Sequence, residues 1–309
     1  MARGSDDERE LAALEIRLKT MLPELYQDRC DDVRPVSMGS AGLKFGADGK
    51  VAWNQMWASF CDLAMAGGPP HKGTLLEPAS QAEIDADPDG YDRVVHEICR
   101  GVRMVTELPV QPSPVPGWVR VGCLSESMAS WLMRAIVMEN VSARTSGATL
   151  DLPAGPHYRL EKEIKNVVTV IAKTSHYLLA HMSRPQQKKV AALFETMAID
   201  MPLIVPALLD DDVMNDRVRG LADRMAEAVV RETELRASPH RCVGWLGVEC
   251  PTVAVAIWMM RALVASNVIS RREGTVLCVP VNPVSDADGS VVGRRLASVQ
   301  RLTPTLASK

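Results

Sequence analysis

Two segments of this chain repeat one another without a gap, and this repeat limits the folds open to the sequence. Residues 117–156 and 244–283 lie 127 positions apart and are identical at 17 of 40 positions. The shared residues include rare types: Trp118 and Trp245, Trp131 and Trp258, Cys123 and Cys250. A match at a fixed period is the signature of an internal duplication. We therefore expect two copies of one structural unit, related by pseudo-two-fold symmetry.

Each repeated segment has the local pattern of a β-α-β-β unit. A short β-type run begins at Trp118, and a helical pattern follows Ser125, whose side chain is suited to cap a helix. Two further short runs flank a turn at Gly147, where an X-Gly pair suits a hairpin that needs positive φ. The same pattern follows Trp245, with Gly274 at the turn. The sequence thus predicts an α+β fold of internally duplicated β-α-β-β units with flanking helices.

The duplication extends upstream of these segments and sets the expected domain limits. Helical runs at 51–66 and 160–182 would each open one half of the chain. The expected organisation is an N-terminal helical arm and connection over 1–42, a first α+β half over 43–156, a second half over 157–297 and a C-terminal tail over 298–309.

Charge and cysteine usage narrow the functional classes. The 35 Lys and Arg residues nearly balance 38 Asp and Glu residues, and the net charge of −3 argues against a general nucleic-acid binder. The N-terminus has no apolar signal segment, and the most apolar stretch, 250–268, is interrupted by Arg261. Seven cysteines without a C-x-x-C pair indicate reduced thiols. These features favour a cytoplasmic protein that binds neither nucleic acid nor membrane.

The sequence contains no cofactor motif, so the cofactor is unknown at this stage. The glycine-rich run 39–46 matches neither the P-loop nor the dinucleotide-binding pattern. The acidic run 85–90 lacks the carboxylate that closes a calcium loop. His176 and His181 are five residues apart, which places them about 140° apart around a continuous helix. They are poor joint metal ligands unless the helix ends between them.

The first candidate site lies in residues 53–73, a segment that the repeat does not explain. Glycine and proline pairs at 67–70 would end its helix and stiffen the chain before His71 and Lys72. A rigid loop that presents an imidazole and an ammonium group suits acid–base chemistry or anion capture. We predict catalytic roles for Cys61, His71 and Lys72. The alternative is a helix stop with exposed polar residues.

The second candidate is a polar stripe on the helix expected over 160–182. Its members recur at steps of three and four, which places them on one helix face: Lys162, Asn166, Thr169, Lys173 and His176. We predict that His176 is catalytic and that the other four bind substrate, lysine through charge and Asn or Thr through orientation. Glu139, which the second copy replaces with Ser266, is a further substrate-binding candidate. The alternatives are a solvated helix face and an exposed carboxylate.

Together these patterns predict an enzyme of small-molecule metabolism that binds an anionic substrate in a cleft between the two halves. The loop at His71 and Lys72 would approach the stripe, and a bound anion would balance lysines that lack acidic partners. One alternative is a non-catalytic ligand-binding protein or a subunit of an assembly with copies of itself or another protein, because its Met-rich composition suits adaptable surfaces. A second is a transition-metal protein that uses Cys61, His71 and His176.

Overall fold

The fold is α+β, with helices and two four-stranded antiparallel sheets. The computed structural model describes residues 2–29, 42–59, 73–208 and 212–303. Within those ranges, no helix combines the length and the apolar character that crossing a membrane requires.

Helices form most of the regular structure, and the strands between them are short. The helices are α1 (Ala2–Met21), α2 (Trp53–Ala58), α3 (Gln81–Ala86), α4 (Pro88–Thr106), α5 (Glu126–Met138), α6 (Lys165–Ala180), α7 (Arg184–Asp200), α8 (Asp212–Thr233), α9 (Val253–Val264) and α10 (Ser290–Leu302). The strands are β1 (Val110–Pro112), β2 (Trp118–Gly122), β3 (Arg144–Ser146), β4 (Thr149–Pro153), β5 (Ala237–Pro239), β6 (Trp245–Glu249), β7 (Arg271–Glu273) and β8 (Val276–Pro280). A 3-10 helix covers Glu24–Arg29, and a π-helical turn over Leu160–Ile164 leads into α6.

The chain divides into two compact units. The first unit is Val36–Met182 and holds the sheet β1 to β4. The second unit joins Met1–Pro35 to Ser183–Lys309 and holds the sheet β5 to β8. Helix α6 packs on α4 and α5 in the first unit, and α10 packs on α8 and α9 in the second. In each unit, therefore, a helix that follows the last strand packs on the two helices that precede it.

The two sheets have the same strand order. It is β1-β2-β4-β3 in the first unit and β5-β6-β8-β7 in the second, with antiparallel neighbours throughout. Trp118 pairs with Pro153 in the central strands of the first sheet, and Trp245 pairs with Pro280 in those of the second. In both units a helix, α5 or α9, connects the first central strand to a β-hairpin.

Short polar residues fix where α5 and α9 begin. The Ser125 hydroxyl accepts a hydrogen bond from the Met128 amide, and the Thr252 hydroxyl accepts one from the Val255 amide. Each cap satisfies one of the backbone N–H groups for which the first helical turn provides no partner. The helix start that the sequence predicts after Ser125 is the one observed.

One face of each sheet is buried beneath its helices. The core positions of the central strands are apolar and fully enclosed in both units: Val119, Val121, Leu150 and Leu152, then Leu246, Val248, Leu277 and Val279. Trp131 of α5 and Trp258 of α9 are buried as well. Because side chains alternate along a strand, this burial directs the intervening residues to the opposite face. In the first sheet that outer face carries Arg120 and Asp151.

The structure differs from the sequence-based expectation in the edge strands and in the unit to which α6 belongs. The sequence analysis assigns no strand to 110–112 or 237–239, whereas Val110–Pro112 forms the edge strand β1 and Ala237–Pro239 forms β5. Neither run is long or apolar enough to stand out, and backbone pairing with β2 or β6 defines it. The sequence also groups α6 with the second half, whereas α6 belongs to the first unit because it packs on α4 and α5.

Gly117 is a position that only glycine fits. Its φ is +83°, and a Cβ built there would lie 2.4 Å from the Ala79 carbonyl oxygen. Gly147 also has a positive φ of +55°, but the nearest atom to its Cβ would be 3.6 Å away. We predict that Gly117→Ala lowers the free energy of unfolding by about 3 kcal/mol and Gly147→Ala by about 1 kcal/mol. Urea denaturation measures both losses, and equal values would contradict the predicted clash.

Candidate functional site

The polar stripe predicted around α6 has an exposed end and an enclosed end. Lys162 lies in the π-helical turn, where its side chain is 65% exposed and its ammonium group is 3.6 Å from the Glu163 carboxylate. The remaining members are buried or half-buried: Asn166, Thr169, Lys173 and His176. Polar groups that lose contact with water need partners within the protein. The enclosed end of the stripe is therefore where such partners matter most.

Lys173 and Glu139 form an ion pair inside the first unit. The Lys173 ammonium donates to the Glu139 carboxylate at 2.7 Å, and the side chains are only 14% and 20% exposed. Glu139 follows the last residue of α5, so the pair ties α5 to α6. The sequence-based expectation of a lysine without an acidic partner is wrong at this position. Since the two charges neutralise each other, Lys173 gives no reason to expect a bound anion.

Thr169 lies one turn before Lys173 on α6. Its hydroxyl oxygen is buried and has no hydrogen-bond partner among the side chains and backbone that the structure describes. A buried hydroxyl without a partner costs about 1–3 kcal/mol. Among the described residues, the Thr169 hydroxyl therefore lacks the hydrogen bond that would offset its burial.

His176 lies in an aromatic cluster at the end of α6. Its ring meets the Trp57 ring edge to face, with centroids 5.2 Å apart, and Tyr177 is 6.5 Å away. The Nε2 atom of His176 is 3.0 Å from Nε2 of His181. Burial lowers the pKa of His176, and the neighbouring His181 lowers this pKa further. The neutral imidazole, which can accept a proton, is therefore favoured at neutral pH.

The other predicted catalytic residues, Cys61, His71 and Lys72, lie outside the described residues. Helix α2 carries Trp57 and ends at Ala58, shortly before Cys61 in the chain. The expected approach of His71 and Lys72 to the α6 stripe therefore stays a prediction.

The first unit also contains a groove of about 370 Å³ at one edge of its sheet. Its lining is formed by Arg103, Pro109, Val110, Gln111, Arg120, Gly122 and Thr149. Arg103 comes from the last turn of α4 and Arg120 from β2, so two arginine residues border one concave surface. Nη2 of Arg103 donates to the Val110 carbonyl at 2.6 Å, which orients its guanidinium. Gly122 contributes no side chain to fill the groove.

Asp151 holds Arg120 in place beside the groove. Its carboxylate accepts hydrogen bonds from Nε and Nη2 of Arg120 at 2.8 and 2.9 Å, and from Nε of Arg144 at 3.1 Å. The Arg144 guanidinium also lies over the Trp118 ring, 4.6 Å from its centroid. The hydrogen bonds to Asp151 raise the pKa of Arg120. With Arg103, three arginines and one aspartate leave a net charge of +2 within this group.

The second unit keeps the stacked arginine of this group but not the arginines of the groove. Arg271 occupies the position of Arg144, lies over Trp245 with its guanidinium carbon 5.2 Å from the ring centroid, and pairs with Glu273 at 3.0 Å. At the offset of 127, the groove positions Arg103, Arg120 and Gly122 correspond to Val230, Gly247 and Glu249. The two units therefore share a strand order and a stacked arginine, and they differ in the charged residues at the groove positions.

Sequence reasoning missed both groove arginines. Arg120 stands within a β-type run, where a single charged residue predicts only a solvent-facing position. Arg103 stands on an amphipathic helix, where a charge on the polar face is ordinary. The comparison of the two repeats, which singled out Glu139, could have found Arg120, because the second repeat has Gly247 there, whereas Arg103 lies outside the aligned segments.

The cysteines within the described ranges are free thiols: Cys99, Cys123, Cys242, Cys250 and Cys278. Cys250 is buried, whereas Cys123 is half-buried. Burial nevertheless raises the pKa of each of these two thiols to about 11. Because the thiolate is the nucleophile, this environment disfavours a catalytic role and favours packing at the end of the central strands.

The first unit thus carries two candidate sites, the enclosed end of the α6 stripe and the groove between Arg103 and Arg120. No protein-family model, curated protein or solved structure is significantly similar to this chain. The ligand of either site must therefore be inferred from the chemistry of the residues that form it.

Loss of the Lys173 ammonium should destabilise the first unit, because the Glu139 carboxylate would remain part-buried without its cation. We predict that Lys173→Met lowers the free energy of unfolding by about 2 kcal/mol. The double variant K173M/E139Q should recover about 1 kcal/mol relative to the sum of the single losses. Guanidinium denaturation measures these energies. Lys162→Met, at a mostly exposed lysine, is the control, and a loss as large as that of Lys173→Met would contradict the prediction.

The raised pKa values predict slow alkylation of Cys123 and Cys250. A rise in pKa from 9.0 to about 11 reduces the thiolate fraction at pH 7.5 about 100-fold. Iodoacetamide should therefore modify both residues at least about 100-fold more slowly in the folded protein than in urea. The folded-state rate should rise with pH until about pH 11, since the thiolate forms only near the raised pKa. Peptide mass spectrometry measures the rates, and equal rates in both states would disprove the assignment.

Proposed function

We propose that this protein binds a small anionic molecule in the groove of its first unit. The observation that carries the proposal is the pair of arginine residues, Arg103 and Arg120, that line one concave surface. Arginine makes paired, charge-assisted hydrogen bonds to carboxylate and phosphate groups. The groove, at about 370 Å³, falls in the size range of small-molecule sites, roughly 300–1,000 Å³. The ligand class is therefore a small carboxylate or phosphate compound.

The charges around the groove favour an anion as the occupant. Asp151 balances one of its two arginine partners, Arg120 and Arg144. The Val110 carbonyl orients Arg103 without cancelling its charge. An anion between Arg103 and Arg120 would balance the charge that remains, and Gln111 and Thr149 would supply neutral hydrogen-bonding groups at the rim.

The proposal includes an internal duplication of the chain. Its support is the common strand order, the offset of 127 that persists in the strand register, and matched left-handed residues. Asn140 and Asn267 both have φ of 60°, a conformation that asparagine tolerates better than most residues. On this view one ancestral unit was copied, and the groove arginines distinguish the first copy. The expected pseudo-two-fold symmetry stays a prediction.

Catalysis would require groups beyond those of the groove. The predicted acid–base and nucleophilic residues Cys61, His71 and Lys72 lie outside the described residues, so an enzyme and a non-catalytic binding protein both fit the proposal. The groove replaces the expected cleft between halves as the proposed anion site, because Glu139 already neutralises Lys173. A cytoplasmic location and a protein partner stay predictions.

Anion titrations test the proposed groove. Inorganic phosphate and succinate serve as probes of the two ligand classes, with affinity measured by isothermal titration calorimetry on the full chain. We predict that at least one probe binds, and that Arg103→Gln weakens it about 10- to 100-fold through loss of one charge-assisted contact. Arg120→Lys should weaken it as well, because lysine keeps the charge but lacks the paired donors.

Arg93→Gln is the matched control, since Arg93 is an exposed arginine on the same helix, α4, and does not line the groove. It should leave affinity unchanged. Binding that is equally strong in wild type, Arg103→Gln and Arg120→Lys would place the anion elsewhere and overturn the groove. Failure of both probes to bind would overturn the proposed ligand class.

A further inference from the structure

We propose that His176 and His181 form a two-histidine site for a late divalent transition-metal ion with tetragonal geometry, Ni²⁺ or Cu²⁺. The site lies in the first unit at the end of α6 and does not depend on the anion-binding groove. Imidazole nitrogen is a ligand that these ions favour. The proposal is carried by the positions of the two Nε2 atoms and the orientation of the two rings.

The end of α6 brings the two imidazoles together. On a continuous helix, residues five apart point about 140° away from each other. Helix α6 ends at Ala180, and His181 is the residue that caps it, with φ of −113° and ψ of −4°. This change of backbone direction allows the His181 ring to turn back towards His176, and the two Nε2 atoms are 3.0 Å apart. The separation of about 140° expected on a continuous helix therefore does not prevent the two histidines from binding one metal ion.

The spacing of the two nitrogens matches neighbouring ligands on one metal. Metal–nitrogen bonds of about 2.0–2.1 Å at a right angle place two nitrogens about 2.8–3.0 Å apart. The tetrahedral angle that Zn²⁺ prefers would place them about 3.3–3.4 Å apart. The observed 3.0 Å therefore fits a square-planar or octahedral ion without movement of either ring.

The orientation of the rings agrees with the same geometry. A straight hydrogen bond between nitrogens 3.0 Å apart would hold the ring centroids about 5.3 Å apart. Two imidazoles that point at a common metal at a right angle would have centroids about 4.5–4.6 Å apart. The observed separation is 4.7 Å, with the ring planes at 87°. The centroid separation is therefore closer to that of two ligands on one metal than to that of a straight hydrogen bond.

A neighbouring aromatic ring restrains one of the two imidazoles, and the other imidazole is exposed. The Trp57 ring packs edge to face against His176, at an interplanar angle of 86°, which restrains the His176 ring. His181 is exposed to solvent. Among the described residues no three His, Cys, Asp or Glu side chains come together, so the proposal assigns two protein ligands, His176 and His181. Such a site would exchange its metal, unlike a structural site with four protein ligands.

Nickel titration of the full chain tests the site. Calorimetry should detect one Ni²⁺ ion per chain whose affinity falls at least tenfold in His181→Ala. Because the His181 side chain is exposed, this variant is expected to fold, and circular dichroism checks that it does. His176→Ala should lose the same binding event, and His96→Ala, an exposed histidine on α4, is the control that should not change it.

Copper provides a readout that identifies the ligands. The electron paramagnetic resonance spectrum of one equivalent of bound Cu²⁺ should show coupling to two imidazole nitrogens, with one lost in His181→Ala. Unchanged Ni²⁺ affinity in His181→Ala, or unchanged nitrogen coupling, would overturn the site. Tighter binding of Zn²⁺ than of Ni²⁺ would overturn the tetragonal geometry.

Discussion

The antiparallel pair of central strands in each unit, β2 with β4 and β6 with β8, is the constraint on which the rest of the structure depends. Strand side chains alternate between faces, so a slip of one residue would expose the whole buried set. Burial of Val119 and Leu152 therefore fixes the register. That register places Arg120 directly opposite Asp151 on the outer face. The groove arginine is thus positioned by the packing of the opposite face of the sheet.

The two units share residues that pack against the sheet and differ in residues at the candidate anion site. Arg144 and Arg271 are identical between the repeats, and both lie over a matched tryptophan, so their identity reflects packing. At the position opposite Arg120, Asp151 is a charged partner in the first sheet, whereas Cys278 is a buried thiol in the second. The same strand order therefore accommodates different buried residues at this position of the two sheets.

In helix α6, tertiary packing determines the partner of each polar or charged side chain. Lys173 and His176 belong to one polar stripe, yet Lys173 is neutralised by Glu139 from the end of another helix. His176 instead contacts Trp57 and His181. A helical periodicity indicates that such residues share a face, but the identity of each partner depends on the elements that pack against that face.

The sequence alone determined the repeated segments, the α+β class and the helix start at Ser125, because each depends on periodicity or on contacts within a few residues. It did not reveal the edge strand β1, which exists only through pairing with β2. Nor did it reveal the groove, since Arg103 and Arg120 are separated in sequence and meet only when α4 packs beside the sheet. The convergence of His176 and His181 likewise required the position at which α6 ends. Local rules therefore fixed the elements, whereas long-range packing decided which of their side chains could act together.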